Sequence, residues 1–107
     1  MRYEELRQEL KNISFVTVRE ESNVYFEAVI PNSELSKIAT KLDTFFGPRI
    51  WPSENKLPEE VQSSIKEFGG IMPGQILYFS KQDTEVIFVM LWPWSNGTHI
   101  TVKVAQA

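Results

Sequence analysis

Residues 85–102 constrain the fold of this chain more than any other part of the sequence. They begin with an apolar run, residues 86–92, that lacks the alternating polar positions of a half-exposed strand. A strand that is apolar on both sides is typical of a sheet with both faces covered. The pair Asn96-Gly97 then provides a strong hairpin signal, and an alternating strand follows it.

A two-residue turn at Asn96-Gly97 would fix the faces of this hairpin, because side chains alternate along a strand. In that register Trp92 lies opposite Thr101, and Pro93 falls at a pair expected to exchange hydrogen bonds. Proline has no N–H to donate, so a four-residue loop over 94–97 is an alternative that shifts the pairing by two and keeps the faces. One face collects an ordinary core: Ile87, Val89, Leu91, Ile100, Val102 and Val104. The second face collects Val86, Phe88, Met90, Trp92 and Trp94 with His99, Thr101 and Lys103.

The rest of the chain predicts an α+β fold with an antiparallel sheet of about five strands, in the order α-β-β-α-α-β-β-β. Apolar residues at helical spacing predict helices over residues 2–12, 33–46 and 58–68. Runs of β-branched and aromatic residues predict further strands over residues 14–19, 24–30 and 75–80. We expect the helices to pack mainly on one face of the sheet, and residues 1–107 to form a single domain.

The second face of the C-terminal hairpin is too apolar to lie open to water, since each large side chain gains roughly 1.5–3 kcal/mol on burial. Three alternatives could explain what covers this face. One helix lies on this face while the others cover the opposite one. Alternatively, a dimer or heteromeric interface covers it. The third alternative is a hydrophobic ligand cavity between the sheet and the helices.

The sequence contains no motif that indicates a catalytic or metal site. Cysteine is absent, which excludes disulfides and thiolate ligands, and His99 is the single histidine. Ser80, His99 and Asp83 form a trio on paper, but no nucleophile elbow accompanies the serine. The paired glycines Gly69-Gly70 precede a strand instead of a helix, which argues against a phosphate loop. We therefore predict no catalytic residues, no metal and no cofactor.

Charge and hydropathy argue against two classes of partner, nucleic acids and membranes. The formal net charge is −3, so nucleic acid is a disfavoured partner. No apolar run approaches the roughly 18 residues of a membrane span, and the first ten residues do not resemble a signal peptide. We expect a cytoplasmic protein that does not associate with membranes.

The tryptophans provide the strongest functional signal. Trp51 lies in the irregular segment 47–57, which predicts a surface loop, and two more tryptophans flank Pro93 at a strand end. Aromatic side chains in such places are typical binding anchors, although they also plug the ends of small cores. We expect a non-enzymatic interaction domain that binds through the aromatic residues of the C-terminal hairpin and of the 47–57 loop, and its partner would be another protein or a second copy of itself on the aromatic sheet face. The predicted binding residues are Trp51, Trp92, Trp94, His99, Phe88 and Met90.

The alternative function is a carrier of an apolar ligand, or a small enzyme. Its pocket would lie between the second sheet face and the helix over residues 33–46. Such a pocket would be enclosed and lined by Phe88, Met90 and Phe45.

Overall fold

A computed structural model describes residues 2–53 and 56–106, in which three α-helices accompany one five-stranded antiparallel sheet. The helices are α1 (Arg2–Glu9), α2 (Leu35–Phe46) and α3 (Glu59–Ile65). The strands are β1 (Thr17–Glu21), β2 (Tyr25–Pro31), β3 (Ile76–Gln82), β4 (Glu85–Pro93) and β5 (His99–Gln106). Single 3-10 turns lie at Leu10–Asn12, Asn32–Glu34 and Lys66–Phe68. The predicted fold class and strand number are confirmed.

The strand order across the sheet is β1-β2-β5-β4-β3. The two strands of the C-terminal hairpin are therefore both interior, which explains why β4 is apolar on both sides. At one edge, β1 is exposed along its whole length. At the other edge, an isolated bridge between Trp51 and Leu77 adds a short piece of loop to β3.

The hairpin keeps the register predicted for a two-residue turn, but a longer loop produces it. Trp92 lies opposite Thr101, and the closing bond runs from the Trp94 N–H to the His99 carbonyl at 2.9 Å. Residues 95–98 thus form a four-residue loop, in which Gly97 has a φ of 73°. Both predicted turns are wrong, whereas the predicted faces are correct.

This loop also explains how Pro93 fits inside the sheet. Because Trp94 and His99 form the hydrogen-bonded pair, the next pair, Pro93 and Ile100, requires no N–H donor. On its other side Pro93 extends beyond the start of β3, whose first residue pairs with Leu91. Neither ladder loses a hydrogen bond to the proline.

Two helices cover the first face of the sheet and one covers the second. On the first face α1 contributes Leu6, and α2 contributes Ile38 and Leu42, to the cluster around Ile87 and Val89. On the second face α3 packs over Leu77, Phe88 and Met90. One helix is thus the covering of the second face, and the helices lie mainly on the opposite face, as predicted.

Helix α2 is held to the sheet by a hydrogen bond as well as by apolar contact. The buried Tyr78 on β3 donates its hydroxyl to Asp43 Oδ1 of α2 at 2.6 Å. Burial, assisted by the neighbouring carboxylate, raises the pKa of Tyr78 to about 12. The folded protein therefore keeps this phenol neutral at a pH where the unfolded chain ionises it.

We expect the free energy of unfolding to decrease between about pH 10 and about pH 12, because ionisation of Tyr78 favours the unfolded chain in this window. Tyr78→Phe removes the ionising hydroxyl. We expect the variant to be about 1 kcal/mol less stable than the unsubstituted protein near neutral pH, and this difference should shrink towards pH 12. Urea unfolding of both proteins across this range provides the measurement. Parallel pH profiles for the two proteins would contradict the assignment.

Candidate functional site

The second face of the sheet carries the candidate site, and α3 determines which part of that face stays accessible. Pro58 precedes the helix, and Val61 and Ile65 form its buried side. The 3-10 turn that follows places the Phe68 ring 5.2 Å from that of Phe88 and 5.4 Å from that of Tyr25. The helix and its turn therefore cover the middle of this face.

Phe88 and Met90 lie in the core and not on a binding surface. Both side chains are fully buried beneath α3. Phe45 packs with the cluster on the opposite face, so it shares no space with them. The structure thus corrects two of the predicted binding residues. It also corrects the predicted pocket between the second face and the helix over residues 33–46, because α2 does not lie on that face.

Trp92 is half-buried and lies against the end of the turn that follows α3. A Cβ built on Gly69, which has a φ of 103°, would lie 2.5 Å from the indole Cη2. Lys103 lies over the Trp92 ring, with its Nζ 3.5 Å from the ring centroid. The same Nζ donates a hydrogen bond to the Phe68 carbonyl at 3.1 Å. Burial lowers the pKa of the Lys103 ammonium, which is consistent with this position over the indole. Trp92 is therefore held between a glycine turn and a lysine.

Trp51 lies on the edge of the sheet, where its backbone and its indole are both hydrogen-bonded. Its carbonyl accepts a bond from the Leu77 N–H at 3.1 Å. Its indole Nε1 donates to the Met72 carbonyl at 3.2 Å. The irregular segment predicted as a loop is thus tied to β3 and to the connector that precedes it.

Trp94 and His99 lie together where the C-terminal hairpin ends. The Trp94 indole Nε1 donates to Thr101 Oγ1 at 2.9 Å, yet 36% of the residue remains exposed. The His99 ring centroid lies 4.8 Å from that of Trp94, and His99 Nδ1 lies 2.8 Å from Thr98 Oγ1. The indole is fixed in place and still presents a surface to solvent.

A connector, residues 69–75, contacts two of these aromatic residues at the end of the sheet where β3 begins and β4 ends. It starts at Gly69 against Trp92 and reaches Trp51 through the Met72 carbonyl. Met72 is 62% exposed. We call this surface the aromatic end; it comprises Trp51, Met72, Trp92, Trp94 and His99. Four predicted binding residues belong to it. Met72 was missed, although a methionine between glycines and a proline is itself a signal of an adaptable contact.

An open groove of about 650 Å³ adjoins the aromatic end, between α3 and the loop that holds Trp51. Its apolar part is formed by Trp51, Leu57, Ile65 and Ile71. A second groove, of about 580 Å³, lies on the other side of the same loop and shares Leu57 and Lys56 with the first. Volumes of this size accept one or two large side chains or a small ligand.

The structure does not bring Ser80, His99 and Asp83 together as a catalytic triad. Ser80 pairs with Ile87 near one end of the sheet and accepts a hydrogen bond from Arg2, whereas His99 lies at the opposite end beside Trp94. Across residues 2–53 and 56–106, no three acidic or histidine side chains lie together as metal ligands would. The helices described in this chain are all too short or too polar to cross a membrane.

No family model, curated protein or solved structure matches the chain.

We expect Gly69→Ala to destabilise the fold by about 2–5 kcal/mol. The positive φ accounts for roughly 1–2 kcal/mol of this, and the overpacking against Trp92 for roughly 1–3 kcal/mol. Gly70→Ala is the matched control, because Gly70 has a φ of 69° but open space where its Cβ would lie. In urea unfolding, the control variant should lose only the part of the free energy of unfolding that comes from the positive φ. Equal losses in the two variants would show that the contact with Trp92 does not constrain position 69.

Proposed function

We propose that this protein is a non-enzymatic interaction domain of the cytoplasm that binds another protein through the aromatic end. The observation that carries the proposal is the exposure of Met72 and Trp94 at the same end of the sheet, 62% and 36% respectively. Tryptophan and methionine are enriched in the buried centres of protein interfaces, where rigid or adaptable apolar side chains contribute most of the binding energy.

The fixed position of Trp94 supports this role. Its hydrogen bond to Thr101 and its contact with His99 hold the indole in one orientation before a partner arrives. A side chain that is already ordered loses little conformational entropy on binding, so more of the contact energy contributes to affinity. The net charge of −3 makes a protein surface a better partner than nucleic acid.

Site-specific photo-crosslinking in cells tests the proposal. We expect a photoreactive amino acid in place of Met72 or Trp94 to give the same discrete protein adduct, since both positions lie in one interface. The matched controls are Val18 and Val24, which are 48% and 51% exposed at the other edge of the sheet. Adducts from the controls alone, or from none of the four positions, would contradict the proposal. An adduct twice the mass of the chain would identify a homodimer.

We expect Met72→Asp to weaken this interaction without weakening the fold. The side chain is mostly exposed, so the free energy of unfolding should stay within about 0.5 kcal/mol of the unsubstituted protein. A carboxylate placed in an apolar interface is left without a partner, so the adduct formed from position 94 should decrease about tenfold or more. Urea unfolding and quantitative crosslinking provide the two measurements. Unchanged crosslinking would remove Met72 from the interface.

A further inference from the structure

The two grooves beside the aromatic end carry a local positive charge on an acidic protein. Arg49 and Lys56 line one groove, and Lys56 and Lys66 line the other. Among the described residues that line them, Glu59 is acidic, so these residues carry three positive charges and one negative charge. The whole chain, by contrast, has a formal net charge of −3.

These three cations have no carboxylate partner within the part of the chain that the structure describes. The described ion pairs involve Arg7, Arg19 and Lys81, all of them outside the grooves. Unpaired cations that surround an apolar depression attract an anion and hold it beside apolar surface. The charge pattern therefore favours a ligand with a carboxylate next to a bulky apolar group.

The shape of the grooves favours a chain segment over an isolated molecule. They share Lys56 and Leu57 of the loop that lies between them, so a ligand in either groove lies beside the same two residues. Residues 69 and 70 form part of a wall with no side chain beyond Cα, and a Cβ on Gly70 would meet nothing within 4 Å. A peptide backbone can approach this wall closely.

We propose that the two grooves bind an extended segment of the partner protein, in which bulky apolar side chains alternate with or adjoin carboxylates. The apolar side chains pack on the half-buried Trp51, Ile71 and Phe79, and the carboxylates face Arg49, Lys56 and Lys66. This inference rests on the proposed function and adds the chemistry of the partner to it. The aromatic end then forms one side of the interface and the grooves continue it around α3.

The test uses two capped peptides and the full-length protein. One peptide has the sequence Gly-Asp-Leu-Phe-Glu-Gly, and its control has Asn and Gln in place of Asp and Glu. The indole N–H of Trp51, assigned with Trp51→Phe, and the amides of Gly69 and Gly70 report on the grooves in NMR titrations. We expect saturable shifts at these signals with the acidic peptide, and an affinity at least about threefold lower for the amide peptide.

Charge-reversal variants complete the test. Lys66→Glu should weaken the acidic peptide by about three- to tenfold, because it replaces an attraction with a repulsion. Lys11→Glu changes the net charge equally but lies in the turn after α1, on the other side of the sheet, and should leave the affinity unchanged. Both lysines are exposed, so both variants should fold normally.

Three results would overturn the inference: no shift at the groove signals, equal affinity for the two peptides, or an equal loss with Lys11→Glu. None of them affects the crosslinks from positions 72 and 94, which do not depend on the peptide. A failure of the acidic segment is therefore distinguishable from a failure of the interaction domain. If the acidic peptide binds but positions 72 and 94 give no crosslink, the proposed interface at the aromatic end is wrong and the grooves are a peptide site on their own.

Discussion

The burial of both sides of β4 is the constraint on which the rest of this structure depends. A strand with large apolar side chains on each face is stable only if two separate layers exclude water from it. The chain supplies α1 and α2 for one face and α3 for the other. Each fully buried residue such as Phe88 or Ile87 contributes roughly 1.5–3 kcal/mol, so neither layer can be removed without a large loss of stability.

Local patterns predicted the elements of this fold well, because each pattern reports the environment of its own residues. The apolar run of β4 predicted an interior strand, and the alternation of β5 predicted the two faces. Strand order and the assignment of helices to faces depend on contacts between distant parts of the chain. The narrow stripe of α3, Val61 and Ile65, did not indicate that this short helix covers the second face while the strongly amphipathic α2 covers the first.

The candidate site was predicted in part, and the point where the covering layer of α3 ends explains which part. Side-chain alternation placed Phe88, Met90, Trp92 and Trp94 on one face but could not indicate where the covering layer ends. Helix α3 begins beside Lys81 of β3, and the turn after it places Phe68 against Phe88. The covering layer therefore ends at Gly69 over Trp92, so Met90 belongs to the core and Trp94 to the surface.

The two edges of the sheet support the proposal that a partner binds at the aromatic end and not along an edge strand. At β3 the bridge from Trp51 occupies backbone groups that another strand would use. At β1 the exposed strand carries charged residues at three successive positions, 19–21, and its register shifts between Val18 and Glu20. Charges and irregular pairing on an edge strand oppose the addition of a further strand. The exposed valines near β1 thus belong to a protected edge. Met72 and Trp94 are exposed outside these two edge strands, as the proposed interface requires.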